Sequence, residues 1–212
     1  MPETATTHVP EFGYSSAAGL CTAPYLGPAI HALLPPPGTH PRVLDVGCGN
    51  GYWCGRLLER GYRCVGVDTS DEGIAIARRS HPGARFERLA AERDVLERLG
   101  EDPFDVVLST EVVEHLYDPR AWAAACFASL RPGGRLICST PYHGYLKNVM
   151  LAATNHWDRH HDPMWDGGHI KFWSRRTLAN LLAEAGFVNI RFRGAGRLPW
   201  LWKSMVLAGD TP

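Results

Sequence analysis

None of the six cysteines (Cys21, Cys48, Cys54, Cys64, Cys126, Cys138) forms a C-x-x-C pair, so neither a zinc ribbon nor a thioredoxin-type redox pair is available. Several fall within apolar stretches, where a free cysteine behaves as a small hydrophobe, and a reducing cytosol suits them. Long apolar runs are missing too: nothing approaches the ~18 successive residues that a membrane-spanning helix needs. The opening residues, MPETATTHVPEF, lack the basic-then-apolar order of an export signal. A cytoplasmic protein without membrane contact is therefore expected. Charge of either sign is not in excess, since 22 Lys and Arg balance 22 Asp and Glu. That removes the global electrostatic footprint of a nucleic-acid binder. Internal repeats and low-complexity tracts are absent as well.

What is present fits one α/β domain. The chain has 212 residues, 45% hydrophobic and 21% charged, and single domains of that class reach roughly 200–250 residues. Residues 1–40 divide into a tail, to about residue 12, and a cover segment whose second half has helical spacing. Pro35-Pro36-Pro37-Gly38 ends that segment. From 41 onward, apolar runs at 43–46, 62–68, 85–89, 104–109 and 135–139 read as strands. Helical patterns at 52–60, 71–80, 91–99 and 119–130 lie between them. Such alternation predicts a mainly parallel sheet. Residues 142–173 break the pattern: they carry five of the ten histidines and three tryptophans, and only 145–154 has helical character. Ser174 then reads as the N-cap of a helix that ends at Gly186. Two strands, 187–193 and 203–208, follow without a helical crossover and should pair antiparallel.

The stretch Val43-Leu44-Asp45-Val46-Gly47-Cys48-Gly49-Asn50-Gly51 has the form of a nucleotide-cradling turn: a buried strand, a carboxylate, three alternating glycines and a helix start. A triphosphate loop would need Lys then Ser or Thr after the last glycine, and Tyr52 and Trp53 stand there. A dinucleotide fingerprint would need glycine at 52. G-x-G-x-G, with Asp45 inside the first strand and Asp68 ending the next, better suits S-adenosylmethionine. That ligand has no phosphates, a ribose diol and a zwitterionic tail.

In order and spacing, VLDVGCGNG, VGVD, FDVVLSTEVVEHLYDP and LRPGGRLICSTP resemble the signature segments of class I S-adenosylmethionine-dependent methyltransferases. Among those, the chain looks most like the ubiquinone-pathway O-methyltransferases and related small-molecule enzymes. The match runs from about 41 to 141 and, more weakly, through HIKFWSRRTLANLLAEAGF. The resemblance implies a single Rossmann-like, doubly wound α/β domain over 41–212. Its seven-stranded sheet would be mostly parallel with an antiparallel edge. It also implies S-adenosylmethionine as cofactor. Gly47, Gly49 and Gly51 would form the turn beneath its methionine and ribose parts, and Asp45 would organise that turn and the ligand's ammonium. Asp68 would accept both ribose hydroxyls, and Thr69, Ala91 and Glu92 would border the adenine. Glu111 would lie below the methionine tail, with Glu114 and His115 one turn further on.

Methyl transfer from a sulfonium is an in-line displacement that needs alignment and, for a protonated acceptor such as a phenol, a base. Residues 142–173 are the natural acceptor-binding insertion, since ligands of open α/β sheets bind beyond the carboxyl ends of the strands. His143 and His169 are the two candidate bases; the alternative is that either fixes the lid by hydrogen bonding. His156 and His160, at i, i+4, raise a metal reading, but without a third distant ligand the tract 156–162 reads as a solvated or substrate-lining loop, and no metal is expected. Trp157, Trp165 and Trp173 could line an apolar pocket, while Trp200 and Trp202 read as packing. The expected reaction is methylation of a small apolar or aromatic acceptor, at oxygen before nitrogen, sulfur or carbon, with a homodimer left open. A nicotinamide-dependent oxidoreductase and a non-catalytic S-adenosylmethionine-binding protein are the rival readings.

Overall fold

The runs at 43–46, 104–109 and 135–139 are short and hydrophobic on both sides, the signature of strands covered by helices on both faces. In the structure, a computed structural model that describes residues 13–39 and 41–212, the apolar runs between 42 and 141 form β1 (Arg42–Val46), β2 (Arg63–Asp68), β3 (Arg85–Arg88), β4 (Phe104–Thr110) and β5 (Leu130–Pro141). The expected tail lies outside the described residues. Two further strands, β6 (Val188–Ala195) and β7 (Ser204–Asp210), complete a seven-stranded sheet in the order β3-β2-β1-β4-β5-β7-β6. β1 pairs parallel with β2 and β4, whereas β7 pairs antiparallel with both β5 and β6. The expected doubly wound fold with an antiparallel edge is therefore present. Strand order reverses between β1 and β4, and the crevice at their carboxyl ends is where such sheets bind ligands.

The helices are α1 (Ala23–His31), α2 (Tyr52–Leu58), α3 (Asp71–Ser80), α4 (Val95–Leu99), α5 (Pro119–Ala128), α6 (Tyr145–Ala153), α7 (Trp157–His160) and α8 (Arg175–Glu184). Side chains along a strand alternate faces, so β1 feeds two cores. Leu44 and Val46 pack with Trp122 of α5 and Leu178 and Leu182 of α8. Val43 packs on the other face with Ile30 of α1, Leu57 of α2 and Ile74 of α3. Leu44 is wholly buried, and truncating such a leucine to alanine costs about 2–5 kcal/mol. α8 starts at a capping box: Thr177 N–H donates to Ser174 Oγ at 3.2 Å and Ser174 N–H to Thr177 Oγ1 at 3.0 Å.

Three boundaries differ from the sequence reading. α4 starts at Val95, not at 91, because Val95 and Leu99 are its buried positions while Glu92, Arg93 and Asp94 are exposed and add no apolar face. β5 begins at Leu130, which pairs with Phe104; the expected turn at 131–134 is a bulge that rejoins the ladder where Arg135 pairs with Val106. The insertion contains a second helix, the single turn α7. All six cysteines are free and five are buried. No helix among the described residues is long and apolar enough to cross a membrane.

The cover segment is tied to the glycine loop. The Asn50 carboxamide donates to the carbonyls of Ser16 and Ala18 at 2.7 and 2.9 Å. The Tyr14 ring lies where Cβ atoms on Gly49 or Gly73 would meet it.

Candidate active site

The glycine loop holds three residues with positive φ: Gly47 at 75°, Gly49 at 50° and Gly51 at 79°. L side chains rarely adopt this region, which accounts for glycine at each position. Their missing side chains face different neighbours. A Cβ on Gly51 would press on Ala77 and Phe86, so that glycine serves the packing of α3 and β3. On Gly47 it would collide with Val112, and on Gly49 with Tyr14. Asp68, at the end of β2, closes the loop: its two oxygens accept from Gly49 N–H and Ser70 N–H, both at 2.8 Å. The N-cap of α3 is Ser70 rather than Asp68, since Ser70 Oγ accepts from Gly73 N–H at 3.0 Å. Thr69 is exposed next to Asp68. Ala91 packs on the core edge, and Glu92 is exposed and faces Arg98 at 3.5 Å.

Three acids crowd the carboxyl ends of β1 and β4. Asp45 is fully buried beneath the loop; Oδ2 accepts from the Cys54 thiol at 3.5 Å, Oδ1 has no hydrogen-bond partner, and burial pushes the carboxyl up to about 7. Glu111 sits just past β4 with φ of 54°, a sparsely populated region for a non-glycine residue and a frequent mark of functional strain. Its carboxylate accepts from Ser139 at 2.8 Å and Ser204 at 3.2 Å, and burial raises it to about 7. Glu114 lies in the 3-10 turn Val113–His115, is buried, and has neither carboxylate oxygen hydrogen-bonded. Burial, with Glu111 nearby, drives it well above the usual carboxylate range.

The insertion folds back onto this turn. Ile170 and Lys171 N–H groups donate to the Glu114 carbonyl at 2.9 and 3.0 Å, and Trp173 Nε1 donates to the Val113 carbonyl at 3.3 Å. His115 Nδ1 lies 2.8 Å from the Gly167 carbonyl, which makes Nδ1 the donor and leaves the lone pair on Nε2. The rings of His115 and His169 are 4.9 Å apart, and Glu114, His115 and His169 present ligand atoms within 4.8 Å of one another. His143, just past β5, is buried and belongs to a second group, with His160 and His161. Burial lowers His143 to about 3, with repulsion from Lys147, His160 and His161; burial and the neighbouring His115 lower His169 to about 4. The two candidate bases thus share one mouth but sit in different clusters.

A family model described as a methyltransferase domain matches residues 22–191. The chain belongs to the methyltransferase-domain family. Among its relatives, a ubiquinone biosynthesis O-methyltransferase of Cereibacter sphaeroides is 31% identical over 171 residues, covering 80% of this chain and 69% of the relative. One of Roseobacter denitrificans is 32% identical over 170 residues, covering 76% and 66%. The chain spans about two thirds of the length of these relatives. A methyltransferase of Archaeoglobus fulgidus superposes with a TM-score of 0.65 at 17% identity, covering 88% of this chain and 93% of the other. Magnesium protoporphyrin IX methyltransferase of Synechocystis, solved with bound S-adenosylhomocysteine, does so with 0.63 at 17% identity, covering 88% and 80%. The enzyme class and the S-adenosylmethionine cofactor expected from the motifs stand with that membership.

The residues present in this methyltransferase fit such a cofactor. Buried acids with unpartnered oxygens, Asp45 and Glu114, suit a ligand carrying a sulfonium and an ammonium, because a nearby cation favours their ionised forms. Several participants escaped the sequence reading. Lys147 is buried on α6, donates to the Lys203 carbonyl at 3.2 Å and is lowered to about 8 by burial. Its signal was an inverted helix, in which Tyr145, Leu146, Val149 and Met150 are exposed and the lysine is inside. Ser204, which brings β7 to Glu111, carried no local signal at all.

Proposed function

We propose that this methyltransferase transfers the methyl of S-adenosylmethionine to an oxygen (phenol, hydroxyl or carboxylate) of a small apolar or aromatic acceptor. Bound S-adenosylmethionine supplies an electrophilic methyl on a cationic sulfur. Asp68 holds the ribose diol, and Thr69 and Ala91 border the adenine. Gly47 and Gly49 admit the methionine and ribose parts, with Asp45 beneath them and Glu111 below the amino-acid tail. Alignment of this kind can supply roughly 7–11 kcal/mol of a barrier. The oxygen acceptor is supported by the names of the relatives, and a small molecule rather than nucleic acid by the balanced charge. Buried free cysteines support a cytoplasmic setting.

The observation that carries the chemistry is the grouping of Glu114, His115 and His169 at the switch point. A phenol has a pKa near 10, so its proton needs an acceptor as the methyl arrives. His169 receives that proton, with Glu114 and His115 beside it to orient the ring, as a third group orients the base in other catalytic sets. His143 is the weaker base, because burial, with repulsion from Lys147, His160 and His161, lowers it to about 3, against about 4 for His169. Its role is to position the acceptor.

The test is methyl release from labelled S-adenosylmethionine across phenols, carboxylates, amines and thiols. Ether or ester products are expected; transfer confined to amines or thiols overturns the oxygen reading.

A further inference from the structure

The i, i+4 pair His156 and His160 is not the arrangement the fold produces. α7 is a single turn; His156 precedes it, is exposed and places Nδ1 3.0 Å from Thr154 Oγ1. His160 and His161 instead meet His143, which the chain delivers from the end of β5. Ring centroids are 5.6 Å apart for His143 and His160, 5.3 Å for His143 and His161, and 4.9 Å for His160 and His161. Each of the three offers a ring nitrogen within 4.8 Å of the others. Both ring nitrogens of His161 are shielded from solvent and lack a hydrogen-bond partner. Buried polar atoms in that condition are rare and call for a missing partner. Phe172 and Trp157 pack against His161, with ring centroids 4.7 and 4.4 Å away.

We propose that His143, His160 and His161 form a binding site for one divalent transition-metal ion of the zinc class, with an open coordination position facing the acceptor mouth. An all-imidazole set suits zinc, copper, nickel or iron and gives magnesium or calcium none of the oxygen ligands they require. Three protein ligands with a vacant fourth position are the pattern of a catalytic rather than a closed structural zinc site. Zinc–nitrogen bonds of about 2.0–2.1 Å require nitrogen separations of about 3.3 Å, so the cluster contracts by small rotations of the half-exposed His160 and His161 around the buried His143. Ligation needs neutral imidazole, the ordinary form of histidine above its pKa of about 6.5. The opposing charges are Lys147 and Arg197, and Lys147 in turn faces Glu111. The use of the open position, to receive an acceptor oxygen, rests on the oxygen-transfer reading above; metal binding itself does not.

The full chain, stripped with chelator and free of cofactor and acceptor, is titrated with cobalt(II) at pH 7.5 and read by visible absorption and by equilibrium dialysis. One equivalent bound with nitrogen-ligand d–d bands is expected. His160→Ala and His161→Ala, at positions that are only half-buried, should each weaken binding by more than the ~10–100-fold typical of outer-shell partners. His156→Ala and His169→Ala should leave affinity within about twofold, on the same ligand-set logic. Absence of stoichiometric binding overturns the proposal. So does binding indifferent to His160 and His161 but lost in His169→Ala, which would place the ion at the Glu114 group instead. Because no methyl donor or acceptor is present, failure here is separable from failure of the transfer reaction.

Discussion

At the glycine loop, Gly47, Gly49 and Gly51 take their positive φ within one turn, and Asp68 closes that turn through two backbone bonds. The histidine mouth is assembled differently: the 3-10 turn after β4, the end of β5, α7 with the residue after it, and the irregular segment 167–173 each contribute a side chain or two. The loop, the proposed donor half, is local and preorganised by backbone geometry. The mouth, the proposed acceptor half, is held by long-range contacts to the Glu114 and Val113 carbonyls, so its geometry depends on the insertion staying docked. In such a protein, cofactor recognition can stay fixed while acceptor choice varies with one segment.

Loss of the proposed base is expected to give the largest effect that could break this division. His169→Gln should lower turnover by about 10²–10⁴-fold, the usual contribution of general base catalysis, with cofactor affinity unchanged in calorimetry. A normal rate in that variant, with the loss appearing in His143→Gln, would exchange the two histidines' roles. A fall in cofactor affinity would mean that the two halves are not separable.

Response to pH separates them by sign. Asp45 in the loop half is raised from 3.8 to about 7 in the folded chain, so its contribution is in place below about pH 4 and is lost as pH rises toward 7. His169 in the acceptor half is lowered from 6.5 to about 4, so its contribution is intact above pH 6.5 and is lost as pH falls toward 4. Each proton changes stability by at most about 1.4 kcal/mol per pH unit. Denaturant melts of Asp45→Asn should therefore gain on the parent chain as pH rises from 5 to 7, and those of His169→Gln as it falls over the same range. Parallel pH curves for Asp45→Asn and the parent would show that the buried acid is not strained in the ligand-free chain.

Asp68→Ala should weaken S-adenosylmethionine by ~1.5–3 kcal/mol, the cost of a hydrogen bond to a charged group, or about 10–150-fold by calorimetry. Unchanged affinity would confine Asp68 to its bonds with Gly49 and Ser70.

What could be read from residues alone follows the same divide. The strand–helix alternation, the Ser174 cap and the antiparallel edge are set by patterns a few residues long, and all are found in the fold. The loop was legible because alternating glycines and an acid at the next strand end are themselves a local pattern. The acceptor half was not, because β5 and α7 must dock before His143 meets His160 and His161, and no periodicity encodes a contact between residues 143 and 161. The three glycines show the limit within the loop itself: the spacing grouped them, but did not reveal that Val112, Tyr14, and Ala77 with Phe86 fill the space beside Gly47, Gly49 and Gly51.

The smallest predicted effect tests how far the donor half extends. Motif resemblance set Glu92 beside the adenine with Ala91, but the shortening of α4 leaves it on an exposed turn, 3.5 Å from Arg98. An exposed ion pair of that kind contributes about 0–1 kcal/mol to stability. Glu92→Ala should accordingly shift stability by no more than ~0.5 kcal/mol, as surface changes usually do, and leave cofactor affinity within about twofold. A tenfold loss of S-adenosylmethionine affinity would instead show that residues 91–94 close over the adenine when the cofactor binds. The loop half would then share the dependence on induced docking that marks the histidine mouth.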